Sequence, residues 1–312
     1  MMEESSAASR KLPNNLSKLT QCPICRSKDL KYYTEKYGYP LDKCLNCLHI
    51  FCNPYPDKNQ LQLYYNSPMK AFENNFFKTS LESRIPIFDY RIEVIEQYLK
   101  SGSLLDVGSA IGIFVEALKR RGSLFDLHCC DPSEDACQHL QATWPNLTIH
   151  QCMLEDLELS GQFDCVTMWD TLEHLQSPHQ TAHAIKRLLK PGGYWFFSTP
   201  NTSGFEWEIA QKDHLQLLPP GHINLFNIKG IQYLLEHTGF SIVDHQTPNG
   251  SLDVSYIKKL LTQDNSAPYR ERLGPFLTPL LENDPLFAEH FSVSLSHGKQ
   301  AGNILVIARV SS

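Results

Sequence analysis

Four of the ten cysteines form two pairs whose spacing suits a metal ion. Cys22 and Cys25 lie in CPIC, Cys44 and Cys47 lie in CLNC, and eighteen residues separate the two pairs. Each CxxC makes a tight turn that directs two thiolates to one point, and four thiolates are the ligands of a structural Zn²⁺ in a zinc ribbon. Four unrelated buried cysteines, or disulfides, are the alternatives. Because four protein ligands leave no open position, we expect the zinc to be structural.

A glycine-containing loop follows a short apolar stretch in LLDVGSAIG, where Gly108 and Gly112 stand four residues apart. A dinucleotide site prefers G-x-G-x-x-G, whose middle glycine lets the backbone approach a pyrophosphate, and Ala110 occupies that position here. This disfavours NAD. Asp131, in CCDPS, is suited to accept hydrogen bonds from ribose hydroxyls, which NAD shares with other ribose-bearing cofactors. A structural turn for the glycines and a helix N-cap for Asp131 are the alternatives.

Histidines in two loops could move protons. His222 is the first candidate for a general base, because PPGHINLF holds it in a rigid, apolar frame, and His174 in TLEHL is the second. A packing or capping role is the alternative for each of them. Among their neighbours, we expect Glu173 to be solvated or to face the cofactor, Glu206 to be a helix-start carboxylate, and His214 to lie at the surface.

The elements that must position these residues alternate along the chain. Short apolar strands separated by helices predict a parallel sheet covered on both faces, with ligands above the carboxyl ends of its strands. KPGG (190–193) predicts a helix stop and a turn. The predicted strands are 104–107, 124–130, 147–150, 163–169, 194–199, 240–245 and 303–310, and the predicted helices are 112–121, 133–142, 178–189 and 227–238.

The chain divides into four parts. We predict a disordered tail at 1–19, the zinc ribbon at 20–60, a linker or helix at 61–80, and the main α/β domain at 81–312. Region 247–302 is long for a connection between two strands. Its segments look helical and apolar on one side, so we expect it to cap the pocket, with a homodimer contact as the alternative.

Composition limits the function classes. The chain is 42% hydrophobic and 20% charged, as in ordinary globular proteins, and its net charge of −6 argues against a broad nucleic-acid surface. No window approaches the roughly 18 consecutive apolar residues of a membrane span. The polar start lacks the apolar core of a signal peptide. We therefore expect a cytoplasmic protein without a membrane span.

Four motifs in order, LLDVGSAIG, DPS, FDCVTMWDTLEHLQSP and LLKPGGYWFFSTPN, resemble those of the class I S-adenosylmethionine-dependent methyltransferases over about residues 80–245. The resemblance implies an α/β, Rossmann-like class I methyltransferase sheet, mostly parallel with an antiparallel last strand, and S-adenosylmethionine as cofactor. With its two CxxC pairs, the chain also resembles deoxysugar C-methyltransferases, in which a zinc module helps to wall the substrate pocket. The core is similar to quinone-ring O-methyltransferases, which usually lack that module.

The resemblance assigns cofactor contacts to two neighbouring loops. It implies that Asp106, Gly108 and Gly112 shape the loop around the methionine and ribose parts. It implies that Asp131 holds the ribose.

Further contacts follow from the third and fourth strands of the predicted sheet. The turn 153–156 would lie along the adenine edge, where Met153 replaces the acidic residue of many relatives, so the backbone of Leu154 or the carboxylate of Glu155 would serve instead. Trp169 and Asp170 would line the methionine end.

The leading hypothesis is methyl transfer to the carbon or oxygen of a small hydroxylated metabolite, such as a sugar or nucleotide-sugar. A nucleic-acid methyltransferase with the ribbon as reader is the second hypothesis. MWDTLEH stands where base-amino methylases carry an Asn/Asp-Pro-Pro-Tyr/Phe loop, and it counts against that hypothesis. A non-catalytic zinc-ribbon scaffold and an NAD-dependent oxidoreductase are the remaining alternatives.

Overall fold

The computed structural model describes residues 17–57, 59–61, 79–248, 254–262 and 268–311. Its strands form a seven-stranded sheet and a four-stranded sheet. Most of the predicted tail and of the predicted linker at 61–80 lie outside the described residues. The strands are β1 (Leu30–Lys36), β2 (Tyr39–Cys44), β3 (Ile50–Cys52), β4 (Ser101–Val107), β5 (Leu124–Cys130), β6 (Thr148–His150), β7 (Phe163–Trp169), β8 (Leu189–Pro200), β9 (Asn224–Leu225), β10 (Phe240–Gln246) and β11 (Asn303–Val310).

The larger sheet has the order β10-β11-β8-β7-β4-β5-β6. Neighbouring strands of this sheet pair in parallel, except that β11 runs antiparallel to both β8 and β10. The predicted mostly parallel sheet with an antiparallel last strand is therefore confirmed. In this sheet the chain forms the central strand β4 first, then adds β5 and β6 on one side, and then adds β7, β8, β10 and β11 on the other side. The topological switch point therefore lies at the carboxyl ends of β4 and β7.

Helices cover both faces of this sheet. On one face, the helices between β3 and β6 bury Ile92, Phe114 and Leu140. On the other face, the helices between β7 and β8 and between β9 and β10 bury Ile185 and Leu234. The central strand β7 is buried on both sides, and its sequence is therefore mostly apolar. The helices are α1 (Leu81–Glu96), α2 (Ile113–Arg120), α3 (Glu134–Thr143), α4 (Pro178–Leu188), α5 (Phe205–Ala210), α6 (Ile228–Thr238), α7 (Val254–Thr262), α8 (Pro268–Asn283) and α9 (Pro285–His297).

Local sequence sets several helix ends. The Ser133 hydroxyl accepts a hydrogen bond from the Ala136 N–H at 3.3 Å, and the Asn227 side chain accepts one from the Gly230 N–H at 3.0 Å, so each satisfies an N–H that lacks a helical partner. At the other end of α6, Gly239 has φ of 80°, a left-handed conformation that commonly ends helices.

The helix stop predicted at KPGG is confirmed, because α4 ends at Leu188. The predicted turn is wrong, because residues 190–193 lie within β8, which begins at Leu189. Phe163 pairs with Leu189, and the next pairs are Cys165 with Tyr194 and onward, so the register shifts here. Gly192 has φ of 73°. The glycine-containing segment is therefore an irregularity inside a strand.

The smaller sheet has the order β1-β2-β3-β9, so its last strand comes from a segment far along the chain. Phe51 pairs with Asn224, and Ile50 pairs with Leu225. Tyr39, Leu41 and Trp207 are among the buried residues beneath this sheet. The N-terminal module is therefore joined by backbone pairing to the loop that follows β8.

Helices occupy the described parts of region 247–302. Ile257, Leu260 and Leu281 are buried against Ile209 of α5. The same helices leave Phe276 and other apolar side chains exposed, and the homodimer stays a prediction. Within the described residues, no helix combines the length and apolar character that crossing a bilayer requires.

Candidate functional site

The four predicted metal ligands lie together. The sulfurs of Cys22 and Cys47 are 3.5 Å apart, as are those of Cys25 and Cys44, and all four lie within 4.8 Å of one another. A tetrahedral zinc with Zn–S bonds of about 2.3 Å places its sulfurs about 3.8 Å apart. The donor set and its geometry fit a structural Zn²⁺, which the four thiolates would hold.

The glycine loop follows β4 at the switch point. Gly108 and Gly112 have φ of 74° and 79°, which favour glycine. A Cβ on Gly108 would lie 2.6 Å from Thr171 Oγ1, and a Cβ on Gly112 would lie 2.6 Å from Leu140 Cδ2. Turn geometry and close packing thus account for both glycines, and their cofactor contacts stay a prediction.

Asp131 connects the loop after β4 to the turn after β5. Its Oδ2 accepts a hydrogen bond from the Ala110 N–H at 2.9 Å, and its Oδ1 accepts one from the Ser133 N–H at 2.8 Å. The N-cap of α3 is Ser133, so the helix-cap alternative for Asp131 is wrong. A carboxylate is an acceptor of hydrogen bonds from hydroxyl groups, and the contact of Asp131 with the ribose stays a prediction.

Asp106 lies beneath the same loop and is 2% exposed. Burial raises its pKa to about 7, although the Thr167 hydroxyl donates to Oδ1 at 2.7 Å and favours the charged form. Its backbone carbonyl accepts a hydrogen bond from the Ser109 hydroxyl at 2.9 Å. Asp106 therefore braces the loop from below.

The predicted adenine-side residues lie in a 3₁₀ turn, Leu154–Asp156. Leu154 is buried, and Glu155 Oε1 accepts a hydrogen bond from the Thr181 hydroxyl of α4 at 2.9 Å. Met153 is 46% exposed. The two alternatives for the adenine contact, the backbone of Leu154 and the carboxylate of Glu155, both stay predictions.

Trp169 ends β7, Asp170 directly follows it, and both contact a residue that sequence reasoning missed. The Arg91 guanidinium of α1 donates to Asp170 Oδ2 at 2.7 Å and lies 4.9 Å from the centre of the Trp169 ring. Desolvation favours the neutral Asp170, but Arg91 and the hydrogen bond from Asn303 hold its pKa below the usual value. Arg91 lies on an otherwise apolar helix face. That position was the one sign in the sequence that its side chain is buried and paired.

The two candidate bases are brought together. The rings of His174 and His222 are 4.7 Å apart and nearly perpendicular. Nδ1 of His174 lies 3.0 Å from the Gly221 carbonyl, and Nδ1 of His222 lies 2.8 Å from the Gln216 carbonyl. Carbonyls only accept, so each neutral ring carries its proton on Nδ1 and its lone pair on Nε2.

Glu173 adjoins this pair, and its expected solvation is wrong because it is 1% exposed. Burial, with a smaller contribution from Asp170, raises its pKa to about 8, and its Oε2 accepts from the Thr199 hydroxyl at 3.0 Å. Ligand atoms of Glu173, His174 and His222 lie within 4.8 Å of one another. These three side chains could therefore also hold a divalent metal ion.

Of two neighbouring expectations, one is wrong and one is confirmed. His214 is 1% exposed rather than superficial, whereas Glu206 lies in the first turn of α5, as expected of a helix-start carboxylate, although it too is 1% exposed. Burial lowers the pKa of His214 to about 3 and raises that of Glu206 to about 7. The His214 ring lies 5.7 Å from the Tyr256 ring of α7, so a helix of region 247–302 covers a side chain that would otherwise face water.

The chain is similar in sequence to known methyltransferases. A family model described as "Methyltransferase domain" matches residues 86–245. A ubiquinone biosynthesis O-methyltransferase of Erwinia tasmaniensis is 30% identical over 203 residues, which are 61% of this chain and 72% of that protein. One of Alkalilimnicola ehrlichii is 35% identical over 132 residues, which are 39% of this chain and about half, 53%, of that protein.

A solved S-adenosylmethionine-dependent methyltransferase from Archaeoglobus fulgidus is 16% identical to the chain, with a TM-score of 0.49. The superposition covers 75% of this chain and 98% of that one.

Proposed function

This chain belongs to the class I S-adenosylmethionine-dependent methyltransferases, and we propose that it methylates an oxygen of a small hydroxylated metabolite. S-adenosylmethionine supplies an electrophilic methyl group on a sulfonium sulfur. The residues of this chain must align the acceptor in line with that methyl group, exclude water and, for a hydroxyl acceptor, remove a proton. The named activity of the ubiquinone biosynthesis O-methyltransferases supports oxygen as the receiving atom.

The pairing of His222 with His174 carries this proposal. With Nδ1 of each ring held by a backbone carbonyl, Nε2 is the atom that accepts a proton from the acceptor hydroxyl. His222 is the base, and the His174 ring, which packs nearly perpendicular to it, orients it. Asp131, Gly108 and Gly112 bind the nucleoside at the switch point, and Trp169 with Asp170 closes the methionine end.

We infer a polyhydroxylated acceptor, such as a sugar or nucleotide-sugar. Of the seven buried side-chain atoms without a hydrogen-bond partner among the described residues, three belong to region 205–214 and to the start of β11: Glu206 Oε2, His214 Nε2 and Asn303 Oδ1. Buried atoms left in that state cost about 1–3 kcal/mol each. An acceptor whose hydroxyl groups reached these atoms would offset that cost.

The test measures transfer of a labelled methyl group to a panel of acceptors: a nucleotide-sugar, a free sugar, a catechol and a short RNA. We expect label in a nucleotide-sugar or free sugar and none in RNA. Label only in the catechol would contradict the sugar acceptor but retain O-methylation. Label in RNA would favour the nucleic-acid alternative, and no label together with no cofactor binding would favour the scaffold.

The base assignment is tested by His222→Gln. Removing a general base lowers kcat by about 10²–10⁴, while the affinity for S-adenosylmethionine should stay within twofold of wild type. His237→Gln is the matched control, because His237 is exposed and donates only to Tyr233 on its own helix. Equal kcat values for wild type and His222→Gln would refute the role of His222.

The metal alternative at the same cluster has its own test. If a divalent ion polarises the acceptor hydroxyl there, activity should rise on adding Mg²⁺ or Mn²⁺ to enzyme whose zinc is retained. Activity that does not depend on added ions supports direct proton removal by histidine.

A further inference from the structure

Asn224 is buried, lies two residues after His222, and has no part in the chemistry proposed above. It belongs to β9, the two-residue strand that completes the sheet of the N-terminal module. A polar side chain at 0% exposure needs hydrogen-bond partners to offset its desolvation. The partners of Asn224 come from three separate segments of the chain.

The side-chain oxygen of Asn224 faces the N-terminal module. Oδ1 accepts from the Tyr55 hydroxyl at 2.7 Å and lies 2.9 Å from Nε2 of His49. The side-chain nitrogen faces the other way, and Nδ2 donates to the Leu175 carbonyl at 2.7 Å. The side-chain amide of Asn224 therefore accepts hydrogen bonds on one side and donates to a carbonyl on the other.

The backbone beside Asn224 repeats this arrangement. The Ile223 N–H donates to the Glu173 carbonyl at 3.0 Å, and the Ile223 carbonyl accepts from the Cys52 N–H at 2.9 Å. The segment that follows His222 is therefore bonded to the turn that carries His174 and to the edge of the module. Residues 223 and 224 are therefore one direct connection between the module and that turn.

On the other side, the connection reaches the thiolates. His49 lies two residues after Cys47, and its carbonyl accepts from the Cys44 N–H at 2.9 Å. The second CxxC turn therefore fixes the backbone of His49, whose ring bonds to Asn224. This path runs from two metal ligands, through one imidazole and one amide, to the two catalytic loops.

We propose that Asn224 is a positioning residue that couples metal occupancy of the four-cysteine cluster to the placement of His222 and His174. This inference rests on the proposed function of the two histidines, but its first readout does not require an acceptor. An emptied cluster loosens the CxxC turns, His49 shifts, and Asn224 passes the displacement to both loops.

The experiment follows the ring signals of His174 and His222 by NMR in histidine-labelled protein, assigned with His174→Gln and His222→Gln. In wild type, removing zinc with a chelator should shift both signals. In Asn224→Ala, which should retain one zinc per chain and bind S-adenosylmethionine within twofold of wild type, zinc removal should shift both signals by less than half as much, because only the backbone bonds of Ile223 remain. Equal shifts in both proteins would overturn the coupling.

The activity readout then separates positioning from general destabilisation. Asn224→Ala should lower kcat about 10–100-fold with little change in KM for S-adenosylmethionine. The control is His179→Gln, which removes another contact between module and main domain, from His179 Nε2 to the Ile24 carbonyl at 2.8 Å, and should leave kcat within twofold. If Asn224→Ala does not fold, Tyr55→Phe replaces it as the test, because it deletes only the hydroxyl that donates to Asn224. Tyr55→Phe should weaken the zinc-dependent NMR shift of the two histidines. An undiminished shift would overturn the proposal.

Loss of methyl transfer to every acceptor would refute the proposed function while leaving the NMR result to decide the coupling. Conversely, an active enzyme whose His174 and His222 signals ignore zinc would refute the coupling alone.

Discussion

Replacing Asp131 with alanine removes two acceptors that the structure uses and that the cofactor would use. Two hydrogen bonds from ribose hydroxyls to a carboxylate contribute about 1.5–3 kcal/mol each, so Asp131→Ala should weaken S-adenosylmethionine binding by about 10²–10⁴-fold. The same change leaves the N–H groups of Ala110 and Ser133 without their partner. We therefore expect a lower Tm but a folded protein.

Isothermal calorimetry with S-adenosylmethionine measures the affinity, and thermal unfolding measures the stability. Asp131→Asn keeps one acceptor oxygen, so its affinity should lie between those of wild type and Asp131→Ala. Asp126→Ala is the control on the same strand, since the Asp126 side chain is 78% exposed. A dissociation constant for Asp131→Ala within twofold of wild type, together with a lower Tm, would reduce Asp131 to a brace between two loops.

Three further predictions concern the metal, the loop and pH. Cys22→Ser should release zinc and lower Tm by roughly 10 °C, and wild-type protein that elemental analysis finds metal-free would contradict the zinc assignment. Gly112→Ala should destabilise the fold by more than Gly122→Ala, because both have positive φ but only Gly112 would bring a Cβ to 2.6 Å from Leu140; equal losses in urea unfolding would show that packing there is unimportant. Burial raises the pKa of Asp106 to about 7 in the folded protein. Between about pH 4 and pH 7 the folded protein therefore keeps a proton on this carboxyl that the unfolded chain has released. The contribution of Asp106 to the free energy of unfolding falls as the pH rises through that range. Asp106→Asn should lack this decline, and parallel stability–pH curves for the two proteins would contradict it.

Much of the site could be predicted because its signals are local. The two CxxC pairs alone predict the four metal ligands. The pattern of apolar strands places Gly108 and Asp131 at strand ends, and the carboxyl ends of parallel strands lie at one edge of the sheet. The same reasoning brought His174 and His222 to adjacent loops, and their rings lie 4.7 Å apart.

What sequence reasoning missed depends on contacts between distant segments. A two-residue strand such as β9 has no periodicity of its own, so its pairing with β3 and the role of Asn224 leave no local trace. His214 reads as a surface residue in the sequence, but its ring packs against Tyr256 of α7 and is buried. Arg91 is a single basic residue on an apolar helix face, and its ion pair with Asp170 is visible only in the three-dimensional structure.

The central claim is that the edge formed by β4, β5 and β7 holds S-adenosylmethionine. Calorimetric titration of the zinc-loaded protein with S-adenosylmethionine and, separately, with NAD tests it most directly. We predict one molecule of S-adenosylmethionine bound per chain and no heat from NAD. Binding of NAD instead, or no binding of S-adenosylmethionine to folded, zinc-loaded protein, would contradict the account.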